Sequence, residues 1–209
     1  MTNKFYWESV YKHNRAPIAQ SSFAQYVLSS YIHPDDKIIE LGCGNGRDAI
    51  YFAQNNIQVV AVDQCSSEIE RLKTSNRLDN LVFMIADFTH LDQSNEAYDL
   101  IYSRFTLHSV DKLGQSRVIN WSYNSLKPKG KICIEARGYK NALYKKGKAV
   151  TGQKDAFIFN DHYRRFINID KLVEELVAIG FKILIANEER GFAPISDFDD
   201  YFIRVIAQK

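Results

Sequence analysis

The stretch "IIELGCGNGRDAI", residues 38–50, decides the fold. It passes from an apolar segment through glycines at positions 42, 44 and 46 into a segment whose apolar residues have helical spacing. Glycine loses more conformational entropy on folding than any other residue, so three glycines within five positions need a physical reason. A strand-to-helix turn whose backbone is approached closely by a bound molecule provides that reason. The stretch therefore predicts a strand, a ligand-binding turn and a helix.

Short apolar segments alternate with helical segments along most of the chain. The predicted strands are "KIIELG" (37–42), "IQVVAVD" (57–63), "LVFMIAD" (81–87), "YDLIYS" (98–103) and "GKICIEAR" (130–137). The predicted helices are "RDAIYFAQNN" (47–56), "SSEIERLKTSN" (66–76), with Ser66 or Ser67 as N-cap, and "DKLGQSRVINWSYNSLKP" (111–128), closed by Pro128. Strands separated by helices form βαβ units, and such units build a parallel sheet that is buried on both faces.

The last part of the chain follows a different pattern. A helix is predicted at "DKLVEELVAIG" (170–180), with Asp170 as N-cap and Gly180 at its C-terminal end. The strands "FKILIA" (181–186) and "DYFIRVIAQK" (200–209) follow without an intervening helix, which predicts an antiparallel pair. Ahead of the first strand, a helix is predicted around residues 21–32. The predicted fold class is therefore α/β, doubly wound, with a seven-stranded, mostly parallel sheet and an antiparallel last strand.

Composition limits the kind of protein that this chain can be. With 45% hydrophobic and 25% charged residues, the 209 residues predict a single globular domain over residues 1–209. The net charge of +2 is too small to indicate a nucleic-acid-binding protein by itself. No apolar run is long enough to span a bilayer and the N-terminus lacks a signal-peptide core, so a cytoplasmic location is expected. Cys43, Cys65 and Cys133 are isolated, and we predict that they are small buried side chains and that no metal site is present.

Acidic residues lie at the ends of the predicted strands, on the side of the glycine turn. Glu40 and the glycines lie at the carboxyl end of the first strand, which is where open α/β sheets bind ligands. The spacing is G-x-G-x-G, not the G-x-G-x-x-G of dinucleotide sites. Asp63 ends the second strand about 20 residues further on, where a carboxylate can accept hydrogen bonds from ribose hydroxyls. Asp87 ends the third strand, so three strand ends carry a carboxylate next to the turn.

These motifs resemble those of the class I S-adenosylmethionine-dependent methyltransferases, from about residue 5 to residue 209. "ELGCGNGRD" (40–48) resembles the first motif of that family. "VVAVD", "IADF", "YDLIYS" and "LKPKGKICIEA" resemble the later motifs, in the usual order. The resemblance implies the Rossmann-like methyltransferase fold, S-adenosylmethionine as cofactor and S-adenosylhomocysteine as product.

The resemblance also implies roles for individual residues. The three glycines would line the methionine part of the cofactor, and Glu40 would support the turn near the cofactor amino group. Asp63 would bind the ribose and Asp87 the adenine amine. The full set of expected cofactor-binding residues is Tyr11, Arg15, Glu40, Gly42, Cys43, Gly44, Gly46, Asp63, Gln64, Asp87, Phe88 and Ser103.

The N-terminal segment "FYWESVYKHNR" (5–15) is both aromatic and polar. It resembles the W-x-x-x-Y segment that caps the cofactor in several small-molecule methyltransferases, and residues 1–35 are accordingly expected to form a cap. The resemblance would place Tyr11 and Arg15 near the cofactor carboxylate or the substrate. The alternative is that the aromatic side chains pack a helix onto the sheet, because aromatic stripes are usually part of a core. The sequence leaves both interpretations open.

The clearest indication of the methyl acceptor is a basic insertion at residues 138–168, which we expect on the substrate side. Several basic groups around one pocket predict an anionic acceptor, such as a phosphate, a carboxylate or a nucleotide-linked sugar. For the lysines of the insertion, a solvated loop is the alternative. "DHYRRF" (161–166) has a weak resemblance to bacterial methyltransferases found with surface-polysaccharide genes. The predicted substrate-binding residues are Arg104, His108, Arg137, Tyr139, His162, Arg164 and Arg165.

His108 and His162 are the candidate catalytic residues, because a hydroxyl acceptor is helped by a base within hydrogen-bond reach. A phosphate or carboxylate acceptor would need no base, and the sequence leaves this choice open. The predicted function is S-adenosylmethionine-dependent methyl transfer to a small, anionic acceptor, with no membrane partner. The alternatives are an RNA or protein methyltransferase, an NAD-dependent oxidoreductase and a non-catalytic cofactor-binding protein.

Overall fold

The glycine-rich stretch folds as predicted in a computed structural model, which describes residues 4–13, 19–95, 97–194 and 199–209, apart from the side chains of Phe5 and His13. β1 (Lys37–Leu41) leads into a turn over residues 42–46, and α3 (Arg47–Gln54) follows directly. Ile38 and Ile39 are both buried, and they belong to core clusters on opposite sides of the sheet. A strand that buries both of its faces lies in the middle of a layered structure.

The main sheet has seven strands. Besides β1 they are β2 (Gln58–Asp63), β3 (Leu81–Ile85), β4 (Tyr98–Arg104), β5 (Leu126–Ala136), β9 (Lys182–Glu189) and β10 (Phe202–Gln208), in the order β3-β2-β1-β4-β5-β10-β9. β1 to β5 pair in parallel, while β10 is antiparallel to both of its neighbours. The strand order reverses between β1 and β4, where a crevice forms at the carboxyl ends of the strands. The predicted fold class is confirmed.

Helices cover both faces of this sheet. In the described part they are α1 (Lys4–His13), α2 (Ser22–Tyr31), α3, α4 (Ser66–Ser75), α5 (Lys112–Ser125) and α6 (Ile169–Ile179), with a short 3-10 helix at Leu107–Ser109. Helices α2, α3 and α4 bury Phe23, Phe52 and Ile69 in one core cluster. Helices α5 and α6 bury Val118 and Leu172 in the other. The core is therefore two apolar layers separated by the sheet.

Several predicted helix ends were wrong. The N-cap of α4 is Cys65, with no side-chain cap bond, so neither Ser66 nor Ser67 caps this helix. The N-cap of α6 is Asn168, not Asp170, because the Asn168 side chain accepts a hydrogen bond from the Lys171 N–H at 2.9 Å. At the other end Gly180 has φ 116°, which confirms the predicted glycine terminus. Helix α5 ends at Ser125, and Pro128 lies within β5 instead of closing the helix.

The basic insertion contains a small sheet of its own. β6 (Lys148–Ala149), β7 (Ala156–Phe159) and β8 (His162–Arg165) form a three-stranded antiparallel sheet. Asn160 and Asp161, at the turn between β7 and β8, have φ of 51° and 54°. Such a two-residue turn with positive φ at both positions favours Asn and Asp, and its twist matches that of the flanking strands. This small sheet was not among the strands predicted from the sequence.

Two further expectations concern the chain as a whole. Cys43, Cys65 and Cys133 are buried and unpaired with each other, which confirms their prediction as small apolar side chains. Within the described residues, no helix combines the length and apolar character needed to cross a membrane.

Candidate active site

The turn after β1 has a backbone that side chains would disrupt. Gly42, Gly44 and Gly46 have φ of 72°, 55° and 74°, in the left-handed region that glycine adopts without steric cost. A Cβ atom at Gly42 would overlap the side chain of Thr106, and one at Gly44 would overlap the hydroxyl of Tyr11. The glycines therefore allow both the turn and a close approach to it.

A cavity of about 270 Å³ lies against this turn. Eight of the predicted cofactor residues line it, namely Tyr11, Glu40, Gly42, Cys43, Gly44, Asp63, Gln64 and Phe88. The predicted substrate residue Arg104 lines it as well, together with Trp7, Val10, Asn45, Arg47, Asp48, Phe105, Thr106 and Ser109. Arg15 lies outside the described residues. The cavity thus joins the turn, the ends of β1, β2 and β4, and one face of α1.

Asp63 ties the turn to the end of β2. Its Oδ2 accepts a hydrogen bond from the Gly44 N–H at 2.9 Å, and its Oδ1 accepts one from the Cys65 N–H at 2.9 Å. The carboxylate is 8% exposed and faces the cavity. Each carboxylate oxygen can accept more than one hydrogen bond, so Asp63 can also accept from the hydroxyls of a bound ribose.

Glu40 and Asp48 are two buried carboxyl groups on the same wall of the cavity, 4% and 3% exposed. Asp48 accepts hydrogen bonds from Ser21 N at 2.7 Å, Ser21 Oγ at 2.7 Å and the Tyr102 hydroxyl at 2.8 Å. In contrast, Glu40 Oε2 has no hydrogen-bond partner among the described residues. Burial, followed by the nearby Asp48, raises the pKa of Glu40 well above its ordinary value. Sequence reasoning missed Asp48, although its place in the first turn of α3 was a usable signal.

These features fit S-adenosylmethionine. Glu40 lines the cavity, and its buried Oε2 is an acceptor without a donor among the described residues. A cofactor ammonium group is a donor that such an atom requires. The backbone of the turn, where a Cβ would fill the space, can lie against the methionine part. The residues that would hold the cofactor are Gly42, Gly44, Glu40 and Asp63.

Three predicted cofactor residues of the described part do not line the cavity. Asp87 does not line the cavity, and its Oδ1 accepts from the Thr89 N–H at 2.9 Å and the Thr89 hydroxyl at 2.7 Å. Ser103 is fully buried, and its Oγ lies 2.5 Å from Thr106 Oγ1. Ser103 therefore supports Thr106, which packs against Gly42, instead of facing the cavity itself. Gly46 does not line the cavity either, and a Cβ atom at this position would meet the side chains of Phe83 and Leu72.

Helix α1 packs over the site and not into the core. Trp7, Val10 and Tyr11 line the cavity, and the Trp7 and Tyr11 rings stack with centroids 5.9 Å apart. On the other side, the rings of Tyr6 and Trp7 lie 4.3 Å and 4.9 Å from the ring of His162. None of the described side chains of α1 belongs to either core cluster. This placement favours a cap over a core helix.

Arg165, one of the predicted substrate-binding residues, is bonded to the protein itself. It is 8% exposed, and its guanidinium donates to the Val110 carbonyl at 2.9 Å, the Leu107 carbonyl at 3.1 Å and Gln115 Oε1 at 2.5 Å. These bonds fix the segment that follows β4. Since Nε and Nη2 are directed at the protein's own oxygen atoms, Arg165 supports this segment, and its predicted contact with the acceptor stays a prediction.

Arg104 and Arg164 are also partly engaged. Arg104 Nε donates to Glu135 Oε1 at 3.0 Å, and the fully buried Glu135 also accepts from Arg204 Nε at 2.7 Å. Arg164 Nη1 donates to the Phe159 carbonyl at 3.1 Å. Tyr139 does not line the cavity, and its ring stacks on Tyr144 at 4.6 Å. Burial and a hydrogen bond with Asp155 raise the pKa of Tyr139.

Arg137 differs from the other three arginines. Its Nη1 donates to Asn141 Oδ1 at 3.1 Å, and no carboxylate of the described residues forms an ion pair with it. Its guanidinium carbon lies 5.7 Å and 5.1 Å from the rings of Phe105 and Phe202. Burial, and then the nearby Arg164, lower the pKa of Arg137 to about 10. Arg137 is therefore a half-buried cation without a direct ion pair among the described residues, and the Asp200 carboxylate acts on it only at longer range.

The two histidines lie beside Arg137 and behind the wall of the cavity. His108 Nδ1 accepts a hydrogen bond from the Arg137 N–H at 3.3 Å, which assigns the neutral ring's proton to Nε2. His162 is 6% exposed, and its Nε2 has no hydrogen-bond partner among the described residues. Burial and the surrounding arginines lower the pKa of His108, and the same causes lower the pKa of His162 to about 3. Neither histidine lines the cavity; the rings of Phe105 and Trp7 lie between.

Comparison with known proteins agrees with this site. A family model described as a methyltransferase domain matches residues 11–185. Phosphoethanolamine N-methyltransferase 3 of Arabidopsis thaliana is 35% identical over 107 residues, which cover 49% of this chain and 21% of that protein. The chain thus spans about a fifth of the length of this curated relative.

Solved structures show the same fold. A methyltransferase of Methanosarcina mazei matches with a TM-score of 0.76 at 21% identity, covering 88% of this chain and 96% of that one. The 1,6-didemethyltoxoflavin-N1-methyltransferase of Burkholderia thailandensis, solved with S-adenosylhomocysteine, matches with a TM-score of 0.74 at 17% identity, covering 99% and 86%. The family match decides against a nicotinamide-dependent oxidoreductase. The chain belongs to the methyltransferase-domain family, and the glycine turn and Glu40 are the residues that would hold S-adenosylmethionine.

Proposed function

We propose that the protein transfers a methyl group from S-adenosylmethionine to a small acceptor that carries an anionic group. The cofactor supplies an activated methyl group when bound, so the protein's own task is to position the acceptor. The observation that carries the proposal is Arg137, a half-buried guanidinium that forms no direct ion pair with the described residues and lies one aromatic ring away from the cofactor cavity. Desolvated cations of this kind are stabilised by an anionic ligand.

His162 supports the same proposal as a binding residue. Its buried Nε2 lacks a partner among the described residues, and the pKa of about 3 keeps the ring neutral at physiological pH. A general base works best when its pKa lies near the operating pH, so His162 is poorly suited to that role. We assign His162 and Arg137 to holding the acceptor's anionic group. An acceptor atom that needs little help with deprotonation suits this arrangement.

The plant relative gives one concrete acceptor class to test. By its name it methylates phosphoethanolamine, a small amine that carries a phosphate. A phosphate group would pair with a guanidinium through two parallel hydrogen bonds. The name of this relative and the geometry around Arg137 support a phosphate-bearing acceptor.

The test separates acceptor binding from cofactor binding. Purified protein and an Arg137→Ala variant are supplied with labelled S-adenosylmethionine and a panel of acceptors: phosphoethanolamine, small carboxylates, sugar phosphates and uncharged alcohols. We expect turnover of anionic acceptors only, with kcat/KM at least tenfold lower in Arg137→Ala. The affinity for S-adenosylhomocysteine, measured by calorimetry, should stay within about twofold of the original.

Lys148→Ala is the matched control, because Lys148 is an exposed basic residue of the same insertion. This variant should behave like the unmodified protein. Equal loss of acceptor use and cofactor affinity in Arg137→Ala would contradict the assignment of Arg137. Cofactor binding without turnover of any acceptor would instead favour a non-catalytic cofactor-binding protein.

A further inference from the structure

The two buried carboxyl groups on the cavity wall, Glu40 and Asp48, differ in the hydrogen-bond donors around them. Three donors satisfy Asp48, from Ser21 N, Ser21 Oγ and the Tyr102 hydroxyl, at 2.7 to 2.8 Å. Several hydrogen bonds to a carboxylate stabilise its ionised form. Glu40 Oε2 receives none from the described residues, although less than a tenth of Glu40 is exposed. The Ala49 N–H is a backbone donor to this carboxyl group, but its effect is smaller than those of burial and of Asp48. The hydrogen bonds therefore stabilise one negative charge in this pair, and that charge lies on Asp48.

Like charges that share a poorly hydrated site disfavour each other's ionised state. A second carboxylate beside Asp48 would add repulsion to the free energy of desolvation. A proton on Glu40 removes both effects at once. When a cation arrives next to Oε2, the balance reverses, because the cation stabilises the ionised carboxyl group.

Other charged groups face Glu40, and they do not change this conclusion. Of the two arginines, Arg104 donates to Glu135, and Arg47 Nε lies 3.8 Å from Asp48 Oδ1, so each already has an acidic neighbour. The remaining titratable groups around Glu40 would only oppose a further negative charge there. They are Asp48 of α3, Asp63 of β2, Tyr102 of β4 and Cys43 of the turn.

We propose that Glu40 is protonated in the ligand-free protein and gives up this proton when the ammonium group of the cofactor binds. The O–H bond of the carboxyl group breaks, the proton passes to solvent, and the carboxylate pairs with the ammonium group. The net charge of the site therefore stays constant when the cation enters. The proposal rests on S-adenosylmethionine as the cofactor and is independent of the acceptor.

The coupling has a definite sign. Because binding releases a proton, affinity for the cofactor rises with pH, by up to tenfold per pH unit. The rise begins above the pKa that Glu40 has in the complex and ends above the pKa that it has in the free protein. At pH 6 an α-amino group is still ionised, since its pKa is ordinarily about 7.7 to 8.0, so the ligand itself contributes little.

Calorimetric titration with S-adenosylhomocysteine tests the coupling without any turnover. The titration is run at pH 6.0 in MES and in Bis-Tris, whose ionisation enthalpies differ, so that the difference in heat counts the protons released. We expect close to one proton for the unmodified protein and none for Glu40→Gln. Asp63→Asn is the matched control: this second cavity carboxylate accepts two backbone N–H groups, so its variant should bind more weakly but still release the proton.

Each remaining outcome decides against the proposal. Binding without proton release would overturn it while leaving the cofactor assignment intact. The same proton count in Glu40→Gln would show that another group titrates. No binding of S-adenosylhomocysteine would overturn the cofactor assignment, and this proposal with it. If Glu40→Gln does not fold, infrared difference spectra of the unmodified protein replace it: the carbonyl band of a protonated carboxyl should disappear on binding, and its persistence would contradict the proposal.

Discussion

Phe105 shows how much a single residue can reveal about this site. It lies just after β4 with φ of 59°, in the left-handed region that a bulky side chain rarely occupies. Its ring lies 4.1 Å from the Arg104 guanidinium carbon, 5.7 Å from that of Arg137 and 5.0 Å from the Phe202 ring. Backbone strain of this kind persists where surrounding contacts compensate for it, and it clusters at functional sites. Here the strained backbone holds an aromatic wall between the cofactor cavity and Arg137.

A matched pair of variants isolates the strain. Phe105→Ala and Phe105→Gly lose the same ring contacts, but only glycine adopts φ of 59° freely. We therefore expect Phe105→Gly to be more stable than Phe105→Ala by about 1 kcal/mol, from urea unfolding. Glycine is usually the less stable of the two in regular structure, by roughly 0.5–1 kcal/mol. A more stable alanine variant would show that the backbone conformation is not strained.

At the scale of elements, local signals predicted most of the structure. The apolar strands around "IIELG" and "VVAVD" and the glycine turn between strand and helix were readable because each depends on residues close in sequence. The sheet of the insertion was missed, although the Asn160–Asp161 pair is a hairpin signal. Its strands are only two to four residues long, so no alternating apolar pattern could develop. Helix α1 was ambiguous because an aromatic stripe looks the same whether it covers a core or a site.

At the scale of the whole molecule, the acceptor side was the least predictable part. Cofactor residues could be placed because strand ends in a parallel sheet meet at one edge. The roles of the arginines depend on partners far away in sequence, such as the carbonyls 55 and 58 residues from Arg165. Nothing in the sequence distinguishes Arg165, which donates hydrogen bonds to the protein itself, from Arg137. Burial of Asp48, and its bonds to Ser21 and Tyr102, likewise depend on the assembled fold.

The buried histidines make global stability depend on pH. In the unfolded chain His162 takes up a proton below about pH 6.5, whereas in the fold its pKa is about 3. Between these values the unfolded state binds the extra proton, so the free energy of unfolding falls as pH falls. One such group contributes up to about 1.4 kcal/mol per pH unit.

Urea unfolding at pH 7, 6 and 5 checks this expectation. The free energy of unfolding of His162→Gln should fall less steeply toward acid pH than that of the unmodified protein. The two slopes should differ by up to about 1.4 kcal/mol per pH unit, the contribution of one proton. His33→Gln, which changes an exposed histidine, should leave the slope unaltered. An unchanged slope in His162→Gln would show that this ring titrates normally in the folded state.

The position of α1 gives the protein an optical probe of its own. Only two tryptophans are present. Trp7 borders the cofactor cavity and touches His162, whereas Trp121 donates its indole N–H to the Asp92 carbonyl at 2.8 Å in the core around α5. Tryptophan emission should therefore change when S-adenosylhomocysteine binds, and the change should survive in Trp121→Phe and vanish in Trp7→Phe. Persistence of the signal in Trp7→Phe would place its source away from the cap. The wavelength and intensity of Trp7 fluorescence would then show, without any label, which small compounds bind at this site.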